Sequence, residues 1–349
     1  MKRISILVPC YNEEENVPLF WQEITRVFAE SLPAYELELL YVDDGSRDGT
    51  LAAIRALATK DSRVKYLSFS RNFGKEAGLY AGLEHATGDF VAVMDADLQD
   101  PPSLLPEMTA YLESGEYDVV ATRRVDRKGE PPIRSFFAHC FYRLIRKISN
   151  VDIVDGARDF RLMTRQYVNS LLELKEYNRF SKGLFGWVGY RVKWLSYENM
   201  PRLKGETKWS FWKLFLYSID GIVAFSVVPV VLAAAFGVLF CGAAFLFLLI
   251  VFVRALLYGD PVAGWPSLVC IILLVAGIQF FFMGVMGEYI AKTYMEVKRR
   301  PVYLCRESNV KGAGPDPARD SREDAVRDNR EDAARDSRED ADAAHGEQG

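Results

Sequence analysis

Two pairs of acids in this sequence are placed where carboxylates can do chemistry. One is Asp95 and Asp97 in "VMDADLQDPP", and the other is Asp43 and Asp44 in "YVDDGSRDGT". Carboxylates this close repel, and without a cation one of them is pushed toward protonation. A divalent metal removes the conflict, and hard oxygen ligands suit Mg²⁺ or Mn²⁺, which carboxylates commonly hold together with substrate phosphates. Gln99 and Asp100 extend the polar cluster around Asp95 and Asp97, and Pro101 and Pro102 suit the first turn of a following helix. Taken alone, the D-x-D spacing is a weak signal and fits a solvated turn better than a metal site, because acids are common in turns. Asp43 and Asp44 can accept hydrogen bonds from a ribose or a base, or can simply cap the turn made by Gly45 and Ser46. A third polar cluster, "VPCYNEEEN", offers Pro9, Tyr11, Asn12 and Glu13. Asn12 before an acid-rich turn reads as a helix cap, and Tyr11 can border or stack on a base.

The elements that must position these residues follow from hydrophobic patterning. Short runs, "ISILVPC", "LELLYVDD", "VKYLSF", "FVAVMDAD" and "YDVVATR", alternate with helix-length segments from residue 3 to about 125. That alternation predicts a mostly parallel sheet with crossover helices, an α/β domain. Ligands of open α/β sheets collect beyond the carboxyl ends of the strands, so the acidic strand ends point to one crevice. If the strand continues through Asp97, alternation sends Asp95 and Asp97 to the same side.

Farther on, residues 133–149 set Phe137, Phe141 and Ile145 at helical spacing beside Arg134, Arg143, Arg146 and Lys147. This is the pattern of a basic amphipathic helix at a membrane interface, although a core-facing helix has the same periodicity. No charged residue falls between Gly221 and Val253, nor between Pro261 and Gly287. Each run exceeds the roughly 20 residues that cross a hydrocarbon core of about 30 Å. We therefore expect transmembrane helices over 227–253 and 265–287, preceded by a juxtamembrane amphipathic helix over 209–226 with Trp209 and Trp212 at headgroup depth. Lys204, Lys208 and Lys213 precede the first span and Lys292, Lys298, Arg299 and Arg300 follow the second, whereas the connector carries one Arg. Positive-inside logic places both ends in the cytoplasm, with residues 1–208 as a cytosolic catalytic domain and 288–310 as a cytosolic juxtamembrane segment. Small residues in "GVLFCGAAF" could pack spans of a homo-oligomer.

The ordered motifs "VPCYNEEENV", "YVDDGSRDGT", "SRNFGKEAGLYAGLEHATGD", "MDADLQDPP", "GARDFRLM" and "MGEYIAKTYMEVKRRPVY" resemble family 2 glycosyltransferases of the GT-A (Rossmann-like) fold. Within them the match is to polyprenyl-phosphate glycosyltransferases, the dolichyl-phosphate mannose synthases and bacterial undecaprenyl-phosphate glucosyltransferases, over residues 3 to 304. The resemblance implies that Pro9, Tyr11, Glu13, Asp43 and Asp44 line the nucleotide of a nucleotide sugar, with UDP-glucose favoured. It implies that Asp95 and Asp97, with Gln99 alongside, hold Mg²⁺ or Mn²⁺ on the donor diphosphate. It makes Asp159 the acid near the reacting sugar carbon, whose plain alternative is an ion pair to Arg158 or Arg161. The acceptor, a polyprenyl phosphate, needs cations, and Arg123, Arg134, Arg202 and Lys208 are the candidates. Lys75 and Arg71 stand as further donor-side possibilities.

Half of the 349 residues are apolar, ample for a core, and the net charge of −4 hides acid in the tail and base near the apolar runs. Five widely spaced cysteines without a CxxC pair argue against a zinc site or disulfide framework. No nucleic-acid partner is expected. "RDSREDAV", "RDNREDAA" and "RDSREDAD" repeat across 319–342 without a hydrophobic face and are expected to lack a core. A processive polysaccharide synthase would carry a Gln-x-x-Arg-Trp motif, which no glutamine here begins, and intact Asp95, Asp97 and Asp159 argue against a non-catalytic membrane scaffold.

Overall fold

The computed structural model describes residues 1–124, 154, 156–197, 219, 221–258, 264–310 and 312. Its centre is an eight-stranded sheet built from β1 (Lys2–Cys10), β2 (Tyr35–Asp43), β3 (Val64–Phe69), β4 (Phe90–Val93), β5 (Val119–Arg124), β6 (Ala157–Thr164), β7 (Val192–Tyr197) and β8 (Cys305–Ser308). The strand order is β7-β5-β6-β4-β1-β2-β3-β8. β1 pairs in parallel with β2 and β4, β2 with β3, and β5 with β7. The alternation of apolar side chains explains the layers. Ile4, Ile6 and Val8 face one side with Leu39 and Tyr41, while Leu7 faces the other with Leu40 and Val42. On the first side lie α1 (Asn16–Ser31), α2 (Thr50–Lys60) and α4 (Leu105–Glu113). α1 buries Val17, Phe20, Ile24 and Phe28, the i, i+3, i+4 stripe of a helix with one face on a sheet. The other side is covered by α3 (Lys75–His85), α5 (Arg165–Glu173) and α6 (Ser181–Trp187). Gly82 is needed for the close approach of α3 to β1, since a Cβ there would stand 1.9 Å from Leu7 Cδ1.

Two strands depart from the parallel pattern. β6 inserts antiparallel between β4 and β5, which carries Asp159 into the middle of the sheet beside the end of β4. β8 adds antiparallel to the β3 edge, after the second long apolar helix. It is fastened there by the Arg55–Glu307 ion pair and by Tyr66 Oη donating to Glu307 at 2.7 Å. Asn309 Oδ1 accepts from Tyr66 N at 2.7 Å, and Tyr303 stacks on Phe69 with centroids 4.9 Å apart. The last part of the stretch 288–310 thus closes an otherwise open sheet edge.

Two helices, α7 (Val228–Tyr258) and α8 (Trp265–Val297), are long and apolar enough to cross a bilayer. In their most apolar windows only 6% and 0% of residues are buried, which separates them from the core helices of a soluble domain. α8 runs past the expected end at residue 287 as far as Val297. The stretch 133–149, the juxtamembrane residues Trp209 and Trp212, and the octapeptide tail lie outside the described residues.

Candidate active site

Four strand ends meet at one edge of the sheet. At the β1 end, Asn12 does not cap a helix. It adopts φ 55°, in the left-handed region that Asn tolerates, and α1 begins four residues later. Its Oδ1 accepts from Arg47 N at 2.9 Å and its own N donates to Ser46 Oγ at 3.0 Å. Glu13 N donates to Thr50 Oγ1 at 2.8 Å. These bonds staple the loop after β1 to the loop after β2, so Tyr11 and Glu13 are held on a rigid base.

At the β2 end both acids are consumed by the fold. Asp43 is 1% exposed, with Oδ1 accepting from Ser46 N at 3.0 Å and Oδ2 from Ser68 Oγ at 2.8 Å. Asp44 accepts from Phe73 N at 2.6 Å and Gly74 N at 2.9 Å, which pins the segment leading into α3. Burial pushes the Asp44 carboxyl up to about 6, against the pull of those two amides. Gly45 has φ +65° and packs so tightly on Arg71 that a Cβ would lie 2.5 Å from its carbonyl carbon. The turn after β2 and the segment carrying Lys75 are thus one unit.

At the β4 end the strand stops at Val93, so alternation does not place Asp95 and Asp97. A turn does, with Leu98 at φ 55° and Asp97 Oδ1 accepting from Gln99 N at 3.2 Å. Behind it is a buried knot. Asp100 accepts from Arg158 Nε at 2.9 Å and also from the Tyr197 hydroxyl, and Arg158 reaches Gln99 Oε1 at 3.4 Å. Burial raises the Asp100 carboxyl above its ordinary range, and the Arg158 charge only partly opposes that. Gln99 is in this way tied to β6, and the neighbouring Asp100 to β7.

Lys75, the first residue of α3, joins the two halves. Its Nζ lies 2.7 Å from Asp95 Oδ1 and 2.6 Å from Asp159 Oδ2. Asp159 does not pair with either neighbouring arginine. Arg158 is spent on Asp100, and Arg161 donates to the Asp159 backbone carbonyl at 3.3 Å while its guanidinium lies 3.4 Å from the centre of the Phe185 ring. Burial would lift the Asp159 carboxyl, but the Lys75 ammonium, with Lys182 and Arg161 beyond it, more than reverses that and keeps it well below the usual range. Asp159 is therefore an anion at neutral pH.

Asp95 and Asp97 fit a divalent cation by their hard oxygen donors and by exposure, the Asp95 side chain being 28% accessible. Among the described residues no group of three or more His, Cys, Asp and Glu gathers into a self-sufficient cage. An ion here would complete its shell with ligand oxygens, as Mg²⁺ commonly does with phosphates. Arg123 sits at the exposed end of β5, with Nε donating to Ser196 Oγ at 3.0 Å and its backbone in register with Ala157, two residues before Asp159. Arg134, Arg202 and Lys208 fall outside the described residues.

Sequence reasoning left Lys75 as a donor-side possibility and did not find the Asp100–Arg158–Tyr197 knot. Nor did it find a cavity of about 630 Å³ between the catalytic domain and the end of α8. Arg71, Arg179 and Lys292 line that cavity with Glu76, Glu176 and Glu296, beside Phe180 and Tyr289. Two of its polar groups, Arg179 Nε and Asn178 Nδ2, are buried without a partner among the described residues.

Residues 5–172 match the model of Glycosyl transferase family 2. CsbB of Bacillus subtilis (strain 168) is 44% identical over 307 residues, covering 88% of this chain and 92% of the relative. The prophage bactoprenol glucosyl transferase homolog of Escherichia coli (strain K12) is 40% identical over 304 residues, 87% of this chain and 98% of its own. The bactoprenol glucosyl transferase of Shigella phage SfV is 40% identical over 309 residues, 88% of this chain and all of its own. Among solved structures, glucosyl-3-phosphoglycerate synthase from Mycobacterium tuberculosis matches at 19% identity with a TM-score of 0.43, over 64% of this chain and 78% of that one.

Proposed function

Because the chain belongs to glycosyltransferase family 2, we propose that it transfers glucose from UDP-glucose to a polyprenyl phosphate at the cytoplasmic face of a membrane, inverting the anomeric carbon. The observation that carries this reading is the meeting of Asp95 and Asp159 on one ammonium, which puts a leaving-group carboxylate and a sugar-side carboxylate in one crevice. The relatives named as bactoprenol glucosyl transferases, which this chain matches over nearly their whole length, support the lipid acceptor. Tyr11 and Glu13 line the nucleoside, with Pro9 at the end of β1, while Asp43 and Asp44 act through the turn and the segment they hold.

Asp95 and Asp97, with Gln99 beside them, would hold Mg²⁺ or Mn²⁺. Bound there, the ion supplies Lewis-acid stabilisation of the charge that grows on the departing diphosphate. The acceptor phosphate is ionised at neutral pH and needs little help from a base. Its oxygen attacks the anomeric carbon as the bond to the UDP oxygen breaks, so one displacement inverts the configuration and the electron pair leaves with UDP. Asp159, kept ionised by Lys75, stabilises positive charge on the sugar and orients the acceptor. Arg123, with Arg134, Arg202 and Lys208, screens the lipid phosphate.

The membrane placement is supported by β8. This strand follows α8 yet pairs in the same sheet as β1, so the chain before α7 and the chain after α8 lie on one side. Two crossings satisfy that, and a hairpin of α7 and α8 supplies two. The test is to mix the purified full chain in nanodiscs with radiolabelled UDP-glucose, Mn²⁺ or Mg²⁺ and a short polyprenyl phosphate. Labelled glycolipid in the organic phase is expected. No labelled lipid with UDP-glucose or any other common nucleotide sugar would sink the reading.

A further inference from the structure

Lys75 has a position that neither donor binding nor acceptor binding alone explains. Its ammonium touches Asp95 Oδ1 at 2.7 Å, and that carboxylate is one of the two the metal would need. The same nitrogen is 2.6 Å from Asp159 Oδ2 on β6. A single positive charge so placed relieves the repulsion between the two carboxylates, as a cation would. We propose that Lys75 is a positioning residue that occupies Asp95 as an internal counter-ion and yields it to a divalent cation only when a nucleoside diphosphate enters. Metal capture is then conditional on the donor.

The reasoning is competition for an oxygen atom. Lys75 is anchored by its backbone at the start of α3, where Asp44 holds the preceding Phe73 and Gly74 amides, so the side chain has a fixed origin. A divalent ion approaching Asp95 and Asp97 without a nucleotide must displace an ammonium that already forms a short, charge-assisted bond. An incoming diphosphate offers that ammonium new anionic oxygens and offers the ion new ligands, so both changes favour the exchange. Asp159 gives the lysine a second partner throughout, and the carboxylate on the sugar side stays paired while Asp95 is handed over. An idle site is thus kept from loading a metal that has no diphosphate to bridge.

This inference rests on the metal site proposed above, and its test separates the two. Mn²⁺ affinity is measured on the full chain in nanodiscs by the electron paramagnetic resonance signal of free Mn²⁺, with and without UDP. Without UDP, Lys75→Met should bind Mn²⁺ at least about 10-fold tighter than the parent chain, and with UDP the gap should close. Lys75→Arg keeps the charge and should stay as weak as the parent. Lys182→Met removes a cation that acts on Asp159 from farther away, and should change the UDP-free affinity by less than about 3-fold. Lys75→Gln serves if the Met variant does not fold, as judged by its melting curve. Should UDP-free Mn²⁺ affinity be unchanged or weaker in the Met and Gln variants while the parent still binds Mn²⁺ with UDP, the Lys75 inference alone falls. If the parent binds no Mn²⁺ even with UDP, the metal site falls and this inference with it.

Discussion

The acids at the end of β2 and those after β4 look alike in the sequence, and the fold treats them as opposites. Asp43 and Asp44 are 1% and 5% exposed, and each carboxylate receives two hydrogen bonds from within the domain. Asp95 keeps 28% of its side chain accessible, and its ion-pair partner among the described residues is Lys75. One pair is spent on shaping the crevice, and Asp95 of the other stays accessible from it. The difference arises because β2 continues to Asp43 with its neighbours β1 and β3 on either side, whereas β4 stops two residues short of Asp95. Paired acids at a strand end therefore do not by themselves announce a ligand site. What decides is whether the strand reaches them and whether local donors claim their oxygens first.

The largest expected effect follows from Asp95. Asp95→Asn should cut the rate of labelled glycolipid formation by at least about 100-fold, since losing a metal ligand removes several kcal/mol of transition-state stabilisation. Its melting temperature should stay close to that of the parent, because Lys75 retains Asp159 as a partner. A variant that loses activity only in proportion to a large loss of melting temperature would erase the contrast with β2. Asp159→Asn should be impaired in the same way, with UDP affinity little changed if Asp159 serves the sugar and acceptor and not the nucleotide.

The next effect in size belongs to the closed pair and is one of stability. Asp43→Ala strands the Ser46 amide and the Ser68 hydroxyl in a site that is almost wholly buried. Leaving buried partners unsatisfied costs about 1–3 kcal/mol each, so a total loss of about 2–6 kcal/mol is expected in a thermal or denaturant melt. UDP binding by whatever remains folded should be weakened much less than folding is. A loss of UDP affinity with no change in stability would show that Asp43 contacts the ligand directly.

How much of this could be read in the sequence differs from residue to residue. The apolar runs behind α7 and α8 are legible because length without charge is a one-dimensional property. The parallel strands β1 to β4 are legible from alternation. β6 is not, because its antiparallel entry between β4 and β5 depends on tertiary pairing, and β8 returns to the sheet across two long helices. Asp95 and Asp97 lie on a turn beyond the end of β4, so the alternation expected if the strand continued does not apply to them. The Lys75 bridge spans 84 residues to Asp159, and no local pattern encodes a contact of that separation. The Arg158 side chain likewise could not be assigned, because its partner Asp100 lies 58 residues away.

The smallest effect is a dependence on pH, and it tests whether Asp44 belongs with the buried acids. Burial lifts its carboxyl from an ordinary value near 3.8 to about 6. The ionised form therefore costs the fold, and the contribution of this group to stability is greatest below about 4, falls as pH rises from 4 to 6, and is flat above that. Asp61 provides the opposite case, since hydrogen bonds from Arg63 first, and then from Trp21, hold its carboxyl at about 2. Its contribution is present above pH 4 and disappears only as pH falls toward 2. Melts of the parent, Asp44→Asn and Asp61→Asn between pH 7.5 and 4.5 separate the two. Relative to Asp44→Asn, the parent should gain about 1–2 kcal/mol on going to the lower pH, a figure reduced for the water that still reaches the group. Relative to Asp61→Asn, the offset should stay constant across that window. If both offsets run flat, Asp44 is ionised at little cost and the two amides that bind it outweigh its burial.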